Sequence, residues 1–164
     1  MFAGSLPMRR LDNILVALDG SGPSDRAMAL AGELALKLDA NVTVLHVISG
    51  IPHAVTELRE NLVAAHLRAY ADLEHRAVSD AMWALGEELT GEAARRLQER
   101  GIGAVGTALA LGDATAEIVD YAARNDVNLI VLGRRGLSGF ERLFLGSVAH
   151  KVVRLASCAC ITVP

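Results

Sequence analysis

Aromatic residues are scarce in this chain. Three Phe, two Tyr and one Trp make up 4% of the 164 residues, although 52% of them are hydrophobic. Ala, Leu and Val supply the apolar mass instead, which suits helices packed on a buried sheet and argues against an all-β sandwich. Excess positive charge is also absent. Sixteen Lys and Arg stand against nineteen Asp and Glu, for a net charge of −3, so the footprint that neutralises DNA or RNA phosphates is missing and nucleic acid is not an expected partner. No apolar run is long enough to span a bilayer, and Met1 to Leu11 carries Arg9 and Arg10 but no apolar stretch of signal-peptide length. A cytoplasmic protein without membrane association is expected. The only cysteines, Cys158 and Cys160, are too close along an extended strand for an unstrained disulfide, in keeping with a reducing compartment. With no partner ligands for zinc or redox chemistry, they read as small buried hydrophobes. His53, His66 and His75 lack the i,i+4 spacing that would gather them on one helix face, so no metal site is expected from them.

What is present is an alternation of strand and helix patterns. Residues 1–10 have no periodicity and read as a loose tail, leaving 11–164 as one domain of ordinary size. Asn13 to Leu18 is almost continuously apolar, as in a parallel strand buried on both faces. Asp19 to Asp25 supplies a turn and a helix start, with Pro23 suited to the first helical position and Asp25 to the first turn. Ala27, Leu30, Ala31, Leu34 and Leu38 share one face of that helix. A second strand spans Asn41 to Ile48. Residues 53–100 favour helix, read as one piece from about 55 to 85 and another from about 90 to 100, either separate or continuous and bent, because Gly86 and Gly91 each weaken a helix by roughly 1 kcal/mol. Glu92 and Arg96 form an i,i+4 pair there, and Gly101 is a helix stop. The segment is longer than a crossover needs, so its excess should project from the domain or pack on a partner subunit. A third strand runs from about Gly103 to Leu111, a helix capped by Asp113 from Ala114 to about Asn125, a strand from Leu129 to Leu132, a helix from about Ser147 to Ala156, and a last strand from Cys160 to Val163. Five strands alternating with helices give an α/β doubly wound parallel sheet with helices on both faces.

One stretch points to chemistry. After the strand at 129–132 come Gly133, Arg134, Arg135 and Gly136, then nine residues, then Gly146, Ser147 and Val148 at the start of a helix. Strand, glycine-rich loop, helix is an arrangement that offers unpaired N–H groups and a positive dipole end to an anion, phosphate above all. Glycine lets the backbone take positive φ and approach a ligand closely. Ser147 suits a helix cap or a hydroxyl donor to phosphate. This loop has neither the dinucleotide nor the P-loop spacing.

The Gly-x2-Gly-x9-Gly-Ser pattern resembles the signature of the ATP-binding branch of the universal stress protein family. Ile14 to Ser21 and Val44 to Val47 are similar to that family's first two strands, so the resemblance covers nearly the whole chain. It implies the strand order 3-2-1-4-5, ATP as ligand together with Mg2+, and a regulator or sensor of the stress response acting through an unknown protein partner. Ala17 and Asp19 would line the nucleoside, with Asp19 reaching ribose hydroxyls or a metal through water. The Val47 backbone would meet the adenine edge and Leu132 would wall the base. Gly133, Gly136, Gly146, Ser147 and Val148 would hold the phosphates. Arg135 is a further phosphate partner by chemistry, since a guanidinium fork suits phosphate oxygens; solvated loop arginine is the other reading of both Arg134 and Arg135. Ala159 stands where the family usually has proline. The competing reading is an enzyme of the same nucleotide-binding group, hydrolysing ATP slowly or transferring its adenylyl or phosphoryl group. Ser138 and His150 lie near the loop in sequence, with no second residue evidently arranged to activate either. A homodimer through the uncharged C-terminal strand is also expected, on edge-strand grounds and by resemblance.

Overall fold

Asn13–Leu18 (β1), Asn41–Ile48 (β2), Val105–Leu111 (β3), Leu129–Gly133 (β4) and Ala159–Val163 (β5) pair into one sheet in the order β3-β2-β1-β4-β5. Every pairing is parallel. Helices Gly22–Leu38 (α1), Ala65–Glu99 (α2), Ala114–Arg124 (α3) and Ser147–Leu155 (α4) make the connections. This computed structural model describes residues 10–49, 65–135 and 146–164, with the side chains of 65–77 excepted. The tail read at 1–10 (apart from Arg10), His53, the first ten residues of the helix read from 55, Gly136, Ser138 and the side chains of His66 and His75 therefore lie outside the described residues.

The near-continuous apolar runs are explained by helices on both faces. Ile14, Val16, Leu18, Val42, Val44, Leu129 and Val131 pack with Ala27, Met28, Ala31, Ala35, Ala93 and Leu97 of α1 and α2. Their neighbours Leu15, Leu45, Ile130 and Leu132 point the other way, onto Ile118 and Ala122 of α3 and Ala149 and Val152 of α4. Successive strand residues thus feed two separate cores. Asn128 fixes the central register, its Oδ1 accepting from the N–H groups of both Asp12 and Asn13 at 3.0 Å. Among the described residues no helix is long and apolar enough to cross a membrane.

The helices depart from the sequence expectations in instructive ways. Gly22, not Pro23, is the first residue of α1, because Ser21 is the cap and its hydroxyl accepts from Ser24 N. The buried face of α1 runs through Ser24, Met28, Gly32 and Ala35 as well as Ala27 and Ala31, while Leu38 is 37% exposed. Leu30 and Leu34 pack partly buried against the same core, and a Cβ at Gly32 would lie 2.9 Å from Leu97 Cδ2, so α1 and α2 approach closely there. Helix α2 is continuous over 35 residues, about 52 Å of helix, which is the continuous one of the two readings. Gly86 does not break it, because the helix presses there on Leu109 and His46, which a Cβ would meet at 3.0 and 3.2 Å. Packing outweighs the propensity penalty. Glu92 pairs with Arg95 at 2.8 Å, and Arg96, its expected partner, instead approaches Asp25 of α1 at 3.7 Å. Both i,i+3 and i,i+4 neighbours are within reach on a helix.

Gly101 ends this region with φ of 93°. Gly101 to Gly106 also happens to have Gly-x-Gly-x-x-Gly spacing. It leads into β3 instead of leaving a strand for a helix, so it lacks the geometry that makes such glycines a phosphate loop.

Candidate functional site

The sheet reverses its winding between β1 and β4, where connections leave toward opposite sides and a crevice opens at the strand ends. Ala17 and Leu132 are register partners across that seam. The residues that follow them, Asp19 on one side and Gly133 to Arg135 on the other, line the rim of one cavity of about 320 Å³, a size usual for small-molecule sites. Its walls include every described position that the sequence assigned to ligand binding: Ala17, Asp19, Val47, Leu132, Gly133, Arg135, Gly146, Ser147 and Val148. Gly136 lies outside the described residues. Sequence reading missed Ser24, Leu45, Ser49, Ala114 and Ile118, which α1, β2 and α3 bring to the same space. Only the fold reveals these, since none belongs to a local motif. It also undervalued Arg134, which lines the cavity as well.

The rim is tied together by short polar contacts. Asp19 Oδ1 accepts from Ser21 N at 3.0 Å, closing a small turn at the end of β1. Ser24 Oγ donates to Ser21 O at 2.9 Å, and Ser21 Oγ reaches across to Arg135 O at 3.5 Å. Ser21 and Ser24 are both buried. The cap of α1 therefore locates the Asp19 turn and touches the glycine loop.

The glycines act differently from the expectation. Neither Gly133 nor Gly146 has a positive φ; among the described residues the glycines that do are Gly20, Gly101 and Gly112. Gly133 is required by proximity, because a Cβ there would lie 2.9 Å from both Pro23 C and Ser24 N. Gly146 lies as close to the other limb of the loop, 3.1 Å from Arg134 O and 3.3 Å from Arg135 Cα on the same construction. Gly146 is also the cap of α4 and, having no side chain, makes no side-chain cap bond. Ser147 is the first helical residue and is not the cap. The helix ladder begins with His150 N to Gly146 O at 2.9 Å. The N–H groups of Ser147, Val148 and Ala149 precede that ladder at the positive end of the helix dipole, beside the cavity. An anion is the complementary guest.

Charged side chains in the described lining are Asp19, Arg134 and Arg135. His150 is exposed on α4 and does not line the cavity. Among the described residues no group of three or more His, Cys, Asp or Glu side chains is arranged to hold a metal. Cys158 and Cys160 pack partly buried against the α3 and α4 core. Burial pushes both thiols up, Cys160 to about 11 with a smaller contribution from Cys158. They are protonated at neutral pH and behave as hydrophobes, not nucleophiles.

Comparison with known proteins agrees with the fold. The model of the universal stress protein family matches residues 10–164. The universal stress protein YxiE of Bacillus subtilis is 33% identical over 166 residues, spanning 93% of this chain and 98% of that protein. Among solved structures, the universal stress protein UspA from Lactobacillus plantarum superposes with a TM-score of 0.77 at 26% identity, covering 94% of this chain and 99% of that one. A universal stress protein family protein from Arabidopsis thaliana with AMP bound shares the fold, with a TM-score of 0.58 at 19% identity over 93% of this chain and 90% of that one.

Proposed function

The chain belongs to the universal stress protein family, and from that premise we propose that it binds ATP and acts as a nucleotide-dependent regulator or sensor in the stress response. The supporting observation is the convergence of Ala17 and Asp19 with Gly133 and Gly146 to Val148 on one cavity, opposite the open first turn of a helix. AMP bound to the Arabidopsis relative favours an adenine nucleotide. The Gly-x2-Gly-x9-Gly-Ser loop favours phosphates beyond the first. Ala17 and Leu132 wall the base, the Val47 backbone reads its edge, and Asp19 accepts from the ribose. Gly133, Gly136, Gly146, Ser147, Val148 and Arg135 surround the phosphates.

Magnesium fits this arrangement in one way only among the described residues. Asp19 is the single carboxylate in the described lining, and Mg2+ typically keeps several waters while taking one or two carboxylates plus substrate phosphates. Asp19 would hold it through water, and the ion would neutralise phosphate charge. Mass spectrometry of nucleotide released from the purified full chain tests the function. ATP is the expected species. ADP alone would turn the reading toward hydrolysis, and FAD or no nucleotide would overturn it.

The protein is also proposed to act as a homodimer through β5. That strand lies at the sheet edge and carries no charged residue, a surface that invites another strand. Two-fold pairing would be antiparallel and self-complementary. Ala159 N donates inward to Asn128 O, and Val163 O accepts inward from Arg134 N. By the alternation of a parallel ladder, Cys160 and Thr162 then present their N–H groups outward. Thr162→Pro should remove an outward donor while sparing the β4 ladder. The expected result is a shift toward monomer in light scattering with the melting transition retained. A variant that stays dimeric would transfer the interface to another surface, α2 foremost.

A further inference from the structure

We propose that Arg134 reads phosphate charge in this cavity, so that affinity rises with the number of phosphates on the nucleotide. The proposal rests on the nucleotide reading above and adds a residue that the glycine signature leaves unspecified. The backbone of Arg134 is clamped on both sides. Its N–H donates to Val163 O at 2.6 Å, and its C=O accepts from Gly146 N at 2.7 Å. The missing Cβ of Gly133 points at Pro23 and Ser24, on the α1 face of the sheet. Strand alternation then sends the next side chain to the opposite face. That is the face of Leu132, which packs with α3 and α4 and lines the cavity.

There Arg134 is partly buried, and its Nε is fully shielded with no hydrogen-bond partner among the described residues. A solvated loop arginine would keep water on that nitrogen. A structural one would have found a carboxylate or carbonyl, as Arg26 Nε does with Pro164 O at 2.6 Å. A shielded guanidinium N–H without an acceptor is costly. Nε is shielded where it stands, but Arg134 lines the cavity, so a turn of its side chain toward a guest there would exchange this unsatisfied position for phosphate oxygens, which match the guanidinium fork in charge and geometry. The open first turn of α4 offers an anion about half an elementary charge, whereas a guanidinium offers a full one and responds more strongly to each added negative charge.

The test is titration calorimetry on the full chain, stripped of nucleotide, with adenosine, AMP, ADP and ATP. Arg134→Met keeps the length and apolar stem of the side chain and removes its charge and donors. Its ATP dissociation constant should rise by about tenfold or more, its adenosine constant should stay within about twofold, and the ATP-over-AMP preference should shrink. The ligand-free variant should melt no lower than the parent, because the unsatisfied donor is gone. Equal losses for adenosine and ATP, or an unchanged ATP constant, would overturn the proposal while leaving the nucleotide reading intact. Failure of the unmodified chain to bind any of the four ligands would overturn both. Should Arg134→Met not fold, Arg134→Lys carries the test. Keeping the charge but losing the fork, it should weaken ATP several-fold against adenosine, and an unchanged ratio would sink the idea.

Discussion

Gly133→Val is expected to abolish measurable ATP binding and to lower the melting temperature. The obstacle begins at Cβ, since that atom alone would lie 2.9 Å from Pro23 C and Ser24 N and 3.0 Å from Pro23 Cβ. Two of these three are backbone atoms, which cannot rotate aside. The start of α1 must therefore lift away from β4, an overpacking cost of about 1–3 kcal/mol, or about 2–4 °C of melting temperature per kcal/mol in a chain of this size. Binding suffers more than stability, because the displaced turn carries Ser21 and Ser24. Ser21 N is held by Asp19, and the Ser21 hydroxyl reaches the Arg135 carbonyl. One substitution thus disturbs both rims of the cavity. Gly133→Ala should show the same effects in weaker form. Unchanged affinity in calorimetry together with an unchanged melting curve would mean that α1 and β4 are not in the contact described.

Asp19→Ala is expected to weaken ATP and ADP alike by about 1–3 kcal/mol, the range for a lost hydrogen bond to a charged acceptor. The carboxylate does two things. One oxygen already accepts from Ser21 N at 3.0 Å, which leaves the other available to a ribose hydroxyl. Asp19→Asn separates the two roles, because its amide oxygen preserves the turn while the charge is lost. If Asn restores binding of ADP but not of magnesium–ATP, the charge serves the metal. If it restores neither, the charge serves the nucleoside. Full affinity in Asp19→Ala would remove Asp19 from the site.

Much of the site was legible in sequence because its parts are local signals. A buried parallel strand ending in Asp19, and a strand followed by glycines and a helix, each declare themselves within about ten residues. Their meeting in one cavity was legible only through family resemblance, since Ala17 and Leu132 become partners by a pairing that no local pattern encodes. The reason for the glycines was not legible at all. Positive φ and close approach leave the same trace in a sequence, and only the positions of Pro23 and Ser24 distinguish them. The same limit explains α2. Gly86 looks like a helix breaker until Leu109 and His46 appear beneath it. Arg134 was undervalued for a related reason, because a cation in a loop reads as solvated unless the strand alternation that buries its Nε is known.

The pairing of β1 with β4 also has a consequence in time. Asn13 and Asn128, which bond at the start of that seam, are 115 residues apart. Closing so long a loop carries its entropic cost before the new contacts repay it, and pairings of this kind slow folding. During synthesis, β1 and β2 are made long before β4 exists, so no nascent chain short of Gly133 can possess the cavity. A ligand lodged there recognises only chains that have closed the seam. At a concentration one hundred times its dissociation constant, it would hold that closure with about 2.7 kcal/mol. Occupancy would then act as a latch on completed molecules, setting how often the sheet reopens along its middle.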